Sequence, residues 1–93
     1  MNGRRLQTLA EFYSDQRQPG DYCKVLPYNE DNQDGIGGKV TWYICDPLGH
    51  VGRLVDHTVT EHEDGTITVS PSILDPAPGG WHGYLERGVW RPA

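Results

Sequence analysis

Turn-forming residues interrupt this chain so often that long helices have little room. It contains 12 Gly and 7 Pro among 93 residues, and both residue types break regular elements. A flat two-layer sandwich normally needs more residues than this. The sequence therefore predicts one domain over residues 1–93 that is mainly β, built as a small bent antiparallel sheet or an open barrel with one N-terminal helix.

The centre of the chain carries the clearest strand pattern. Lys39–Cys45 is rich in β-branched and aromatic residues, which favours a strand. Asp46-Pro47-Leu48-Gly49 then supplies turn residues, and Val51–Val55 is predicted to return as a second strand. A β core over residues 39–91 follows from this pattern and from the hairpins described next.

Two further hairpins are predicted downstream. Glu63-Asp64-Gly65 separates the alternating runs Asp56–Glu61 and Thr66–Ser70, and an Asp-Gly step between such runs is a hairpin signal. Strand alternation places Val55, His57 and Val59 on one inward face, and it places His62 outward near the turn. The last hairpin joins Gly83–Leu85 to Val89–Trp90 through Glu86-Arg87-Gly88.

The N-terminal third is less regular. Residues 4–14 have apolar side chains at helical spacing (Leu6, Leu9, Ala10 and Tyr13), and Pro19-Gly20 follows as a stop, so a covering helix is predicted there. Tyr22–Leu26 is predicted as a short strand. Asn29–Gly38 is polar and Gly-rich, which is typical of a loop.

Composition excludes several classes of function. The formal net charge is -5, which argues against a nucleic-acid partner. No apolar run approaches membrane-spanning length and no signal peptide is evident, so we expect a cytoplasmic protein with no membrane partner. Cys23 and Cys45 are predicted to be free thiols in or near the core.

One hydroxyl and one imidazole flank the loop at Pro76–Gly80. Ser72 follows a strand-like run and His82 opens the next one. Because a serine needs a base to take its proton, this pair suggests nucleophilic catalysis. His57 is the first candidate to orient His82, with Asp75 and Glu86 as weaker ones. Backbone N–H groups at Ser72–Ile73 or Gly79-Gly80 are the candidates for stabilising an oxyanion.

Two other interpretations stay open. Residues of metal-ligating type occur at Cys45, His50, His57 and His82, but their spacing matches no compact zinc pattern, so neither a metal site nor a cofactor is predicted. The aromatic side chains Trp81, Tyr84 and Trp90 cluster on the last hairpin and could form a partner-binding surface, but in a domain this small we expect at least two of them to belong to the core.

Residues 40–91 resemble a Bub-operon-associated family, a domain of unknown function whose members are regarded as candidate serine peptidases. The resemblance lies in the strand and Pro-Ser-Ile step at residues 66–73, in His82, which begins a short strand within residues 81–85, and in the Gly turn at residues 88–90. Members occur in phages and in bacterial operons that encode ubiquitin-like conjugation machinery. The small size of this chain resembles the compact phage-encoded members.

The resemblance implies a function and roles for two residues. Ser72 would be the nucleophile and His82 the base of a peptidase that acts on a ubiquitin-like protein or its conjugate, in the host cytoplasm if the chain is phage-encoded. The family's cysteine cluster would fall near Cys45–His50, but only Cys45 is present here. The alternative function is a non-enzymatic phage accessory protein that binds a host or virion partner through its aromatic C-terminal hairpin.

Overall fold

The computed structural model describes residues 1–25 and 40–93, which contain eight strands and one short helix. In chain order these elements are β1 (Arg4–Leu6), α1 (Leu9–Phe12), β2 (Asp21–Val25), β3 (Thr41–Cys45), β4 (Val51–Arg53), β5 (Thr58–Glu61), β6 (Ile67–Leu74), β7 (His82–Glu86) and β8 (Val89–Pro92). The predicted loop Asn29–Gly38 lies outside the described residues, as do the strand ends predicted at Leu26 and Lys39.

The strands form two four-stranded sheets. The N-terminal sheet has the order β1-β2-β3-β4, and the C-terminal sheet has the order β5-β6-β7-β8. All pairs are antiparallel except β1 with β2. The predicted mainly β class with an N-terminal helix is confirmed, and the sheets do not close into a barrel. Strands of mostly three to five residues allow even this short chain to form two layers.

The main core lies between the two sheets. The N-terminal sheet contributes Tyr22, Trp42 and Ile44, and the C-terminal sheet contributes five apolar side chains, namely Ile67, Val69, Ile73, Leu85 and Trp90. A second cluster on the outer face of the N-terminal sheet contains Phe12 of α1. Strand β3 is therefore buried on both faces, because its alternate side chains point into the two clusters.

The helix predicted over residues 4–14 is mostly wrong. Arg4–Leu6 instead forms β1, and the helix is limited to Leu9–Phe12. A variant of the capping box sets its start. The Thr8 hydroxyl accepts the N–H of Glu11, while the Glu11 carboxylate accepts the N–H of Gln7, one residue before the N-cap. The structure buries Phe12 rather than Tyr13, which is 58% exposed. The Thr8-x-x-Glu11 spacing was the sequence signal for this start.

The hairpins around the candidate site follow the predicted turns. β5 and β6 pair across Asp64-Gly65, where Gly65 has φ +87°. β7 and β8 pair across Arg87 and Gly88, which both have positive φ, as a two-residue hairpin turn with the twist of the strands requires. The helix among the described residues is four residues long, and no helix there is long and apolar enough to cross a membrane.

Candidate active site

The predicted serine and histidine lie in contact. The Ser72 hydroxyl oxygen is 3.1 Å from Nε2 of His82. This is within the hydrogen-bond reach that a general base requires. His82 is exposed and Ser72 is half-buried, so the pair opens onto the surface of the C-terminal sheet.

A bulge in β6 brings the two side chains together. Val69 pairs with Leu85, and Ile73 pairs with Gly83, so three residues of β6 lie opposite the single residue Tyr84. Extra residues on one strand bend it and redirect its side chains. Ser72 therefore lies inside β6, not after its end as predicted, whereas His82 does open β7.

His57 was predicted to orient the ring of His82, but it contacts Ser72 instead. Its Nε2–H donates to the backbone carbonyl of Ser72 over 3.1 Å. Among the described residues, none hydrogen-bonds to the second ring nitrogen of His82. His57 precedes β5 and is half-buried, while Val55, predicted to share its inward face, is 62% exposed. His57 therefore stabilises the backbone position of Ser72.

The two weaker candidates for orienting His82 have other partners. Asp75 contacts Nδ1 of His50 at 2.9 Å, and Glu86 forms an ion pair with Arg91. The Gly80 N–H, one of the groups considered for an oxyanion site, donates to the Ala77 carbonyl at 2.8 Å. Within the described residues, the serine and histidine therefore form a dyad without an orienting carboxylate.

A shallow cavity of about 240 Å³ borders Ser72 on the outer face of the C-terminal sheet. Tyr84 and Glu86 of β7 line one side of it, and Thr68 and Ser70 of β6 line the other. The guanidinium of Arg91 lies over the Tyr84 ring, 4.9 Å from its centroid. An acyl group attacked by Ser72 would have room here.

The four ligand-type residues weighed from the sequence do not converge. Cys45 is buried, and burial raises the pKa of its thiol. His57 and His82 are engaged with Ser72, as described above. His50 instead lies beside Asp46 and Asp75, and the ligand atoms of these three side chains are all within 4.8 Å of one another. In the sequence, Asp46 stands out only as a turn residue.

The aromatic hairpin is largely core, as expected for at least two of its three rings. Trp90 is 2% exposed, and Trp81 is partly buried against it, with ring centroids 5.2 Å apart. Only Tyr84 of the three is exposed, at 37%. The prediction of two free thiols is also confirmed, because Cys23 and Cys45 are both buried and neither forms a disulfide bond.

Comparison with known proteins found no matching family model, no matching curated protein and no matching solved structure. The resemblance to the Bub-operon-associated family therefore stays a prediction carried by residues 66–90.

Proposed function

We propose that this protein is a Ser-His hydrolase with Ser72 as nucleophile and His82 as general base. The observation that carries the proposal is the 3.1 Å separation between the Ser72 hydroxyl and Nε2 of His82. A serine is a weak nucleophile unless a neighbouring base removes its proton, and a neutral imidazole performs this at neutral pH.

Three features of the surroundings favour a reactive pair over an incidental surface contact. The bulge in β6 turns Ser72 toward His82. The hydrogen bond from His57 fixes the backbone that carries the nucleophile. The adjoining cavity leaves space for the acyl part of a substrate. Rigid strands thus support both reacting side chains, which keeps their separation short.

The proposed reaction is acyl transfer. Nε2 of His82 takes the Ser72 proton as the oxygen attacks the substrate carbonyl carbon, which forms a C–O bond and places negative charge on the carbonyl oxygen. The tetrahedral intermediate collapses with cleavage of the C–N bond, and the imidazolium returns the proton to the leaving amine. Water then hydrolyses the acyl-serine ester with the same histidine as base.

The substrate class follows from the family resemblance and from the open position of the dyad. Because His82 is exposed, a protein or extended peptide can reach the site without entering a deep channel. A ubiquitin-like protein, or a conjugate of one, is the substrate that the resemblance suggests, with the chain encoded by a phage and acting in the host cytoplasm.

A fluorophosphonate probe tests the dyad directly. We expect the folded wild-type protein to be labelled and Ser72→Ala to lose labelling completely. Ser70→Ala is the matched control, because Ser70 is an exposed serine on the same strand that lines the same cavity. His82→Gln should slow labelling by about 100-fold or more, the usual contribution of a general base. Labelling that is absent in the folded wild type, or unchanged in Ser72→Ala, would refute the proposal.

The second candidate is a non-enzymatic protein that binds a host or virion partner through the C-terminal hairpin. Its support is the exposed ring of Tyr84, which lies beneath Arg91, since aromatic and Arg side chains are frequent interface anchors. Stable capture of one host protein, lost in Tyr84→Ala and unchanged in Ser72→Ala, would favour binding over hydrolysis.

A further inference from the structure

Three metal-ligating side chains converge where the two sheets meet at one end. Asp46 follows β3, His50 precedes β4, and Asp75 follows β6. Nδ1 of His50 is 2.9 Å from Oδ2 of Asp75 and 4.0 Å from Oδ2 of Asp46. Two of the three residues belong to the turn between β3 and β4, and the third is brought to them only by tertiary folding.

Both carboxylates are held so that one oxygen faces the imidazole. Oδ1 of Asp46 accepts the backbone N–H groups of Leu48 at 2.9 Å and His50 at 3.0 Å. Oδ1 of Asp75 accepts the N–H of Ala77 at 3.0 Å. Oδ2 of each is the atom directed at His50. Hydrogen bonds of this kind orient the ligating carboxylates of metal sites.

The charge of the cluster favours a cation. The Asp46 side chain is only 6% exposed, and among the described residues neither Lys nor Arg lies within ion-pair distance of it or of Asp75. Two carboxylates thus face a single imidazole, and a buried carboxylate is costly without a cationic partner.

A cavity lies beside the cluster, and His57 contributes to its wall. All three side chains line this cavity of about 240 Å³, together with His57. Nε2–H of His57 donates to the Ser72 carbonyl, which leaves Nδ1 as the other ring nitrogen. That nitrogen is buried and has no hydrogen-bond partner among the described residues. Buried polar atoms normally have a hydrogen-bond partner, so an unpaired ring nitrogen is an unusual feature of a residue that lines the same cavity as the three ligands.

We propose that Asp46, His50 and Asp75 bind a divalent transition-metal ion, with Zn²⁺ as the ion best matched to the ligands. Imidazole favours Zn²⁺ and its neighbours in the first row over Mg²⁺ and Ca²⁺, which take oxygen ligands. Tetrahedral ligands about 2.0–2.2 Å from Zn²⁺ lie roughly 3.4 Å from one another. The observed separations of 2.9 Å and 4.0 Å bracket this value. Zn²⁺ would replace the proton that Nδ1 of His50 donates to Asp75, this proton would be released to water, and water would complete the coordination.

The ion would connect the two sheets next to the dyad. The Asp75 N–H donates to the Trp81 carbonyl at 2.9 Å and so closes the loop that leads directly to His82. A metal bridge from the β3–β4 turn to Asp75 would therefore restrain the base of this loop. The site does not depend on the proposed hydrolase function, and its test measures binding rather than activity.

Zinc titration of the full chain tests the site. After dialysis against a chelator, isothermal titration with ZnCl₂ should give one Zn²⁺ per chain, and the ion should raise the melting temperature. We expect each of three ligand variants to weaken Zn²⁺ binding by more than about tenfold: Asp46→Asn, His50→Ala and Asp75→Asn. Even the loss of a residue that only supports a metal ligand lowers affinity by about tenfold or more. The two Asn variants keep the side-chain shape and an oxygen that accepts the backbone N–H groups.

His62→Ala is the matched control, since His62 lies on the distant β5–β6 hairpin and contacts Thr68. It should bind Zn²⁺ like the wild type. Substoichiometric binding by the wild type, or equal affinity in the folded Asp75→Asn and His50→Ala variants, would overturn the proposal. So would loss of binding in Cys45→Ser, because that would place the ion elsewhere. A protein that binds Zn²⁺ but resists the fluorophosphonate would refute only the hydrolase function.

Discussion

Trp90 is predicted to stabilise the packing of the two sheets more than any neighbouring aromatic residue. It lies on β8 and is 2% exposed. Its indole N–H donates to the carbonyl of Gly20 at 2.8 Å, a buried bond between residues 70 positions apart in sequence. Gly20 immediately precedes β2 of the other sheet. The ring therefore contributes both apolar burial and a hydrogen bond that connects the two layers.

The change Trp90→Phe removes the N–H donor and part of the ring. A buried carbonyl left without its partner costs about 1–3 kcal/mol, and the void left by the missing ring atoms adds about 1 kcal/mol. The free energy of unfolding should fall by about 2–4 kcal/mol. For a domain of this size that lowers the melting temperature by about 10–30 °C.

Urea unfolding followed by circular dichroism measures this loss without relying on tryptophan fluorescence, which the substitution itself alters. Trp81→Phe is the control, because Trp81 is partly exposed and its indole N–H has no hydrogen-bond partner among the described residues. We expect Trp81→Phe to cost less than half as much. Equal losses in the two variants would refute the argument that the Gly20 bond and full burial make Trp90 special.

Two further predictions concern the same scaffold. Gly83→Ala should destabilise the fold by about 1–3 kcal/mol, because an added Cβ would lie 2.4 Å from the Trp81 ring and 2.3 Å from the Arg91 carbonyl; thermal unfolding no different from the wild type would contradict this. Glu61 accepts hydrogen bonds from Lys24 and Arg5 of the other sheet, which lower its pKa. These ion pairs contribute less than about 1 kcal/mol to the free energy of unfolding, because Glu61 is exposed. Since folding lowers the pKa of Glu61, this contribution is present above the unfolded pKa of about 4.3 and is lost as the pH falls through the folded pKa. Stability measured against pH should show that Glu61→Gln is less stable than the wild type at pH 7 and equally stable once the pH is low enough to protonate Glu61 in the folded protein. A constant difference would contradict the ion-pair explanation.

The hairpins could be predicted because their signals are local. Gly65 in one turn, and Arg87 and Gly88 in the other, adopt the positive φ angles that tight turns require. The alternating runs on either side of each turn pair with each other. Strand β3 could also be predicted from the sequence, because β-branched and aromatic residues favour a strand that is buried on both faces.

The N-terminal segment shows where local pattern is insufficient. Apolar spacing favoured a helix from residue 4, but Arg4 forms an ion pair with Asp21 at 2.7 Å, and β1 pairs in parallel with β2. Parallel pairing needs a partner distant in sequence, so no local window reveals it. The Thr8-x-x-Glu11 pattern is a local signal for a helix N-terminus, and it would have predicted the start of α1 correctly.

The sequence by itself determined the β class, the turns, and the selection of Ser72 and His82 as a candidate nucleophile and base on either side of one loop. Tertiary structure alone decided that their atoms lie 3.1 Å apart, because a bulge within β6 sets the direction of Ser72. It also decided that His57 holds the serine backbone and that Asp75 joins Asp46 and His50. These contacts depend on strand register and on the packing of one sheet against the other, and neither is encoded in any short stretch of sequence.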